Sequence, residues 1–211
     1  MSSLESLDCG FVAVIGCRSP RWRKAERSPG ARLAEGRGEK KLAAQWRTAA
    51  EQIRADVLAH AVDERGVFTQ HYGGKALDAS VLLIPLFRFL PPGDERVRNT
   101  VLAIADELTE DELVLRYRVD ETEDGLTGEE GTFTICSFWL VSALVQIGEL
   151  ARARALCEKL LSYASPLQLY AEEIDPHTGH HLGNFPQAFT HLALINAVVH
   201  VINLEQAELL E

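Results

Sequence analysis

Two kinds of apolar pattern alternate along the chain. Leu42, Trp46, Ala49, Ile53 and Val57 recur at helical spacing, with Arg47, Glu51, Gln52 and Arg54 opposite, which predicts an amphipathic helix with one face in water. In 76–90, Leu77, Val81, Leu82, Leu83, Ile84, Leu86, Phe87 and Phe89 go almost all round, which predicts a helix covered on most sides. Pro85 predicts a kink within it. Pro91, Pro92 and Gly93 end it, and Asp94 is placed to cap the next helix. That helix, 94–108, is amphipathic on Val97, Val101, Ile104 and Leu108. Residues 131–148 are again apolar all round, through Phe133, Phe138, Trp139, Leu140, Leu144 and Ile147. Residues 150–164 are amphipathic on Leu150, Ala153, Leu156, Leu160 and Leu161. The last helix is predicted to open with Pro186 at its first position and run to Leu204, apolar through Phe189, Leu192, Leu194, Ile195, Val198, Val199 and Ile202.

The covered helices begin near residues 76, 131 and 186, 55 residues apart each time. No sequence repeat matches this spacing, so the repeat is one of architecture. Each covered helix follows a long loop (62–75, 110–130 and 165–185) and leads into an amphipathic one by a short link. The expected fold is therefore all-α, with about six helices. Three helical hairpins form half of an (α/α)₆ barrel, inner helices covered and outer ones half-exposed. The long loops then gather at one end of the inner ring, where function is expected. A half ring leaves apolar faces open at its cut ends, so self-association or a partner covering those edges is expected.

Composition narrows the ligands. Of the 21 Lys and Arg, nine fall in 18–41; from residue 42 onward the net charge is −14 against −10 for the whole chain. An acidic body suits neither a phosphate backbone nor an anionic membrane surface, and favours a small neutral substrate. The Pro-, Gly-, Ser- and Arg-containing start reads as an irregular, unstructured segment over 1–40, followed by a helical domain over 41–205 and a short tail, 206–211. The apolar run 11–17 is preceded by Glu5 and Asp8 with no Lys or Arg, unlike a signal peptide. No uninterrupted apolar run approaches the roughly 18 residues that span a bilayer. Cys9, Cys17, Cys136 and Cys157 form no CxxC spacing, so neither zinc nor another cofactor is expected. Reduced core thiols suit a cytoplasmic protein.

The third long loop reads Tyr170-Ala171-Glu172-Glu173-Ile174-Asp175-Pro176, then His177-Thr178-Gly179-His180-His181. Adjacent carboxylates over a helical pocket can hold a water and take its proton, or can be a solvated surface. The three histidines lack the i, i+4 register of a helical metal site. In the second loop Arg116 and Arg118 sit two apart in an alternating stretch, 113–119, that predicts a short extended piece with both pointing one way. They can hydrogen-bond sugar hydroxyls or neutralise the acidic run Asp120, Glu121, Glu123, Asp124, Glu129 and Glu130. Thr127 and Glu130 also fit a capping box. In the first loop Phe68, His71 and Tyr72 can stack on a sugar face or pack the loop.

The segments His71-Tyr72-Gly73, Leu77-Asp78-Ala79-Ser80, Arg116-Tyr117-Arg118, Glu130-Gly131-Thr132-Phe133, Cys136-Ser137-Phe138-Trp139-Leu140, Ala171-Glu172-Glu173 and Gly183-Asn184-Phe185-Pro186-Gln187-Ala188-Phe189 occur in this order. Together they resemble the C-terminal part of glycoside hydrolase family 15, the bacterial glucoamylase and trehalase-like proteins. The resemblance covers about residues 30–204. It implies an (α/α)₆ barrel and inverting hydrolysis of α-glucosides. By position Glu172 matches the general base, with Glu173 the alternative if the register slips by one. Arg116 or Arg118 matches the arginine that holds the non-reducing glucose, and Glu130, Tyr72 and Phe189 would line the pocket. The family's general acid follows a Trp. Here Trp22, Trp46 and Trp139 precede Arg23, Arg47 and Leu140, so the chain is expected to be weak or inactive by itself. Two other readings stay open. One is a non-catalytic helical scaffold that binds a sugar or protein. The other is an epimerase or lyase working through His180 or His181.

Overall fold

The computed structural model describes residues 28–119 and 131–208. In chain order these form helices α1 (Pro29–Gly36) and α2 (Lys40–His60), a 3₁₀ turn (Ala79–Leu82), and helices α3 (Leu83–Leu86) and α4 (Glu95–Glu107). Strands β1 (Thr109–Glu110), β2 (Leu113–Val114) and β3 (Thr132–Phe133) follow, then helices α5 (Thr134–Gln146) and α6 (Leu150–Ser162), strands β4 (Glu173–Ile174) and β5 (His181–Leu182), and helix α7 (Ala188–Glu208). The described residues divide into two compact units, one up to Ala50 and one from Glu51 onward.

In the first unit, the segment expected to be irregular contains α1. Ser28 Oγ accepts the Ala31 N–H at 3.2 Å, and Pro29 supplies the first helical residue. These two start signals outweigh the flexible composition around them. Gly30 lies against the Trp46 ring, where an added methyl would come within 2.9 Å.

The second unit is built around α5. Cys136, Ser137, Phe138 and all of Leu140 to Leu144 are buried. The inner row runs α3, α5, α7, with α5 packed on both neighbours; α4 and α6 pack behind it. α4 turns Val97, Thr100, Val101 and Ile104 inward, and α6 turns Ala153, Leu156, Cys157 and Leu160 inward. Leu161, expected on the inner face of α6, is 45% exposed.

Several sequence expectations need correction. Residues 76–90 form no long helix. Asp78 is extended, bridges Tyr117, and caps the 3₁₀ turn by accepting the Ser80 N–H at 2.7 Å. Pro85 lacks an N–H, and Arg88 turns left-handed at φ 57°, so only one α-turn survives. The last helix begins at Ala188 and not at Pro186: Gln187 donates its N–H to the Tyr170 carbonyl, and its own carbonyl accepts from His191 N. On α2, Trp46 and Ile53 of the expected buried stripe are exposed. α7 is covered on one side through Thr190, Ala193, Ala197 and Val201, while Phe189, Leu192, Ile195, Val199 and Ile202 stand in solvent. Ala188–Ala207 is long and apolar enough to cross a membrane by length and composition alone. No uninterrupted run showed this, because Thr190, His191, Asn196 and His200 break it up.

The loops ahead of the inner helices are laced together by backbone hydrogen bonds. Ala79 N donates to Arg116 O at 2.8 Å, which joins the first loop to the second. Thr132 and Phe133 pair antiparallel with Ile174 and Glu173, which joins the second to the third; Glu173 and Ile174 pair in turn with Leu182 and His181. The three loops therefore converge on the N-terminal ends of the inner helices.

Candidate active site

Glu172 stands immediately before β4, beside the first residue of α5: Thr134 N donates to Glu172 O at 3.0 Å, and Glu172 N donates to Asn184 O at 2.9 Å. Its carboxylate is held from one side. The Asn184 backbone N–H (3.1 Å) and side-chain Nδ2 (2.7 Å) both donate to Oε2. Oε1 makes no hydrogen bond to any described residue. The chain passes this close because Gly183 is left-handed at φ 70°; a methyl there would lie 2.9 Å from Oε2.

The run before Glu172 is equally fixed. Tyr170 O accepts from Gln187 N at 2.9 Å, and Tyr170 N donates to His191 Nε2 at 3.3 Å. His191 Nδ1 lies 2.7 Å from Gln187 O, so the ring bridges Tyr170 and the start of α7. Thr190, fully buried, donates its hydroxyl to Ala171 O at 3.2 Å. The Tyr170 ring is buried against Phe138, His181 and His191. Burial pushes its phenol up from the ordinary tyrosine range, with the nearby Cys157 adding to the effect.

Glu173, one residue on, lies on the opposite face of the strand. Its Oε2 accepts from Gly131 N at 2.9 Å, which ties the carboxylate to the backbone entering β3. Arg116 joins the same neighbourhood. Its guanidinium lies 5.2 Å from the Tyr117 ring centroid and 5.9 Å from that of Phe133, the strand partner of Glu173. Arg118 does not point the same way, because the paired strand ends at Val114. It donates instead to Glu107 O, the end of α4, at 2.6 Å.

The remaining expected residues are scattered. Tyr72 donates its hydroxyl to Asp56 Oδ2 at 2.9 Å and lies 5.5 Å from the His60 ring. Its phenol is pushed up by burial and by the Asp56 hydrogen bond. Phe189 sits in the first turn of α7, 67% exposed. Glu130, with Thr127, lies outside the described residues. His180 is exposed, and His181 Nε2 is 2.8 Å from Tyr163 O with its ring against Tyr170 and Phe185, which are packing contacts. Asp175 organises the hairpin tip, accepting from His177 N at 2.8 Å and from the Thr178 hydroxyl at 2.6 Å. The Thr178 hydroxyl first, and then the His177 N–H, hold its carboxyl below the usual range. Among the described residues, no three His, Cys, Asp or Glu side chains gather as a metal site.

Asn184, Thr190 and His191 received no role from sequence. One signal was present: Gly-Asn ahead of Phe-Pro marks a turn, and here that turn doubles back over a carboxylate.

An all-α half barrel with its inner-helix loops laced at one end is the architecture of part of a helical glycosidase. A solved wild-type glycosidase superposes with a TM-score of 0.64 at 22% identity, over 75% of this chain and 44% of that one; a variant in complex with glucose superposes equally well. The family model for glycosyl hydrolases family 15 matches residues 28–199, and the chain belongs to that family. It is 76% identical over 177 residues to the trehalase of Mycobacterium tuberculosis and 75% identical over 177 to that of Mycolicibacterium smegmatis, in each case 84% of this chain and 26% of the relative. The trehalase of Thermoplasma acidophilum is 43% identical over 153 residues, 72% of this chain and 26% of the relative. The chain thus spans about a quarter of the length of the curated trehalases it matches.

Proposed function

We propose that this chain carries the general-base side of an inverting α-glucosidase site whose substrate is trehalose. The observation that carries this reading is the state of Glu172: Oε2 is anchored by two donors from Asn184, while Oε1 has no hydrogen bond to any described residue. A base of this kind needs a fixed carboxylate with one free lone pair. In the proposed step Glu172 Oε1 takes a proton from a water as the water oxygen bonds to the anomeric carbon. The glycosidic C–O bond breaks, and the leaving oxygen takes a proton from an acid roughly 6.5–9.5 Å from the base. No Trp-Glu pair offers that acid in this sequence, so slow turnover is expected of the chain by itself. Glu173 is the less suitable base, because its carboxylate holds the Gly131 N–H. Arg116, not Arg118, is assigned to the glucose hydroxyls, since Arg118 closes the end of α4. The sequence of the trehalase relatives supports trehalose over starch-like glucans. Cys136 and Cys157, buried and unpaired, support a reducing, cytoplasmic setting.

A second reading has its own observation. The solvent-facing stripe Phe189, Leu192, Ile195, Val199 and Ile202 suits a scaffold whose exposed edge packs on further helical hairpins or a partner.

The test is glucose release from trehalose, maltose and soluble starch by the folded chain, beside Glu172→Gln and Glu173→Gln. The base assignment expects slow release from trehalose that falls by roughly 10²–10⁴-fold in Glu172→Gln and survives in Glu173→Gln. Release indifferent to Glu172→Gln overturns that assignment. A helical chain that releases nothing from any of the three leaves the scaffold reading standing.

A further inference from the structure

We propose that Asn184 is the positioning residue of the Glu172 carboxylate: it clamps Oε2 with two donors and leaves Oε1 without a hydrogen bond to any described residue. This deepens the reading of Glu172 as base and rests on it for its consequence in catalysis, though the clamp itself is a statement about geometry. Two adjacent glutamates carry the same chemistry. What separates them is what each holds. Glu173 receives the N–H of Gly131 across the sheet. Glu172 receives a backbone and a side-chain donor from one residue, at 3.1 and 2.7 Å, both on the same oxygen. Asn184 O also accepts the Glu172 N–H at 2.9 Å. Asn184 therefore grips Glu172 at three points: once through the side chain and twice through the backbone. The clamp closes against the carboxylate because Gly183 has no side chain, and a methyl there would come within 2.9 Å of Oε2 and 3.1 Å of Glu172 Cβ. A carboxylate anchored in this way keeps its rotamer without substrate, which is the preorganisation a water-activating base requires.

The same pair explains why a donor and not a carboxylate stands at 184. The side chain donates to a carboxyl oxygen, and the Asn amide carries that donor whatever the pH. Aspartate at this place would set a second negative charge against the first.

The experiment follows the Asn184 side-chain amide by nitrogen–proton correlation spectroscopy in the full 211-residue chain as the pH is lowered through the carboxylate range. The other carboxyls of the hairpin are Glu173 and Asp175, and its histidines are His177, His180 and His181, so single variants identify the source of any shift. The expected result is an Asn184 amide signal that moves with one carboxyl titration, a movement that vanishes in Glu172→Gln and persists in Glu173→Gln. An amide that ignores pH, or one that follows Glu173, overturns the proposal. Asn184→Asp and Gly183→Ala serve as second variants. Both are expected to keep the helical circular dichroism of the wild type while altering the Glu172 carboxyl carbon signal, and a Glu172 signal unchanged in both overturns the clamp. None of these readouts needs turnover, so a chain that releases no glucose counts against the proposed function and not against the clamp. Where release is measurable, Asn184→Ala lowers kcat on the order of 10²-fold at little change in KM, and an equal loss in KM with kcat intact also overturns it.

Discussion

α5 and α7 carry the same sequence pattern and meet opposite fates. Both are apolar on every side. α5 lies between α3 and α7 with α4 and α6 behind it, and its residues from Leu140 to Leu144 are all buried. α7 has α5 and α6 on one side only, and five large apolar side chains face water. An all-round apolar helix therefore states a demand for cover. Whether the demand is met depends on position in the row, and α7 stands at its edge.

The contrast can be broken most sharply by truncating one phenylalanine on each helix. Phe138→Ala removes a fully buried ring that meets Tyr170 edge-on at 5.7 Å. It is expected to cost about 3–5 kcal/mol in urea unfolding. Phe189→Ala, on the open face, is expected to stay within about 0.5 kcal/mol. Equal losses would mean that α7 is covered in solution.

A smaller effect separates the two faces of α7 itself. Thr190→Val keeps the shape of a fully buried side chain but removes its donor to Ala171 O. It is expected to cost about 1–3 kcal/mol, with proteolysis at 165–185 becoming faster. Ile195→Thr on the outer face is expected to change neither.

The smallest effect concerns an outer helix. Asp94 accepts from Arg96 N at 3.1 Å and from its guanidinium at 2.9 and 2.8 Å. The Arg96 side chain, opposed by burial and helped by its backbone N–H, holds the Asp94 carboxyl below its ordinary value. A carboxyl lowered in the folded state stabilises it above the unfolded value and loses that contribution as pH falls through the folded one. Asp94→Ala is thus expected to cost about 1 kcal/mol at neutral pH, with the gap to wild type closing below about pH 4. A gap constant with pH would show that the charge has no part in the cap.

Periodicity was a sound guide wherever burial alone shapes a segment. α4, α5 and α6 lie close to where their apolar positions predicted, and two of the three expected inner helices, α5 and α7, start close to the predicted places. It failed at 76–90, where Asp78, Pro85 and the left-handed Arg88 override a helical pattern. It also failed to foresee α1, whose start depends on one serine and one proline. The paired glutamates were visible as chemistry, but nothing in their order distinguished one from the other. Arg116 and Arg118 were indistinguishable for the same reason.

Residue order by itself determined the helical class, the inner and outer rows, the loops that carry the carboxylates and the family resemblance. These rest on local periodicity and short motifs, which a linear chain displays openly. Tertiary structure alone decided that one Glu172 oxygen is held by Asn184 while Glu173 is tied to Gly131, that Arg116 lies against the Tyr117 and Phe133 rings while Arg118 closes the end of α4, and that α7 keeps an exposed apolar face. Each of these depends on which distant segment arrives beside a residue. Asn184 reaches Glu172 only because the hairpin closes, and that closure is a property of the packed sheet and helices together.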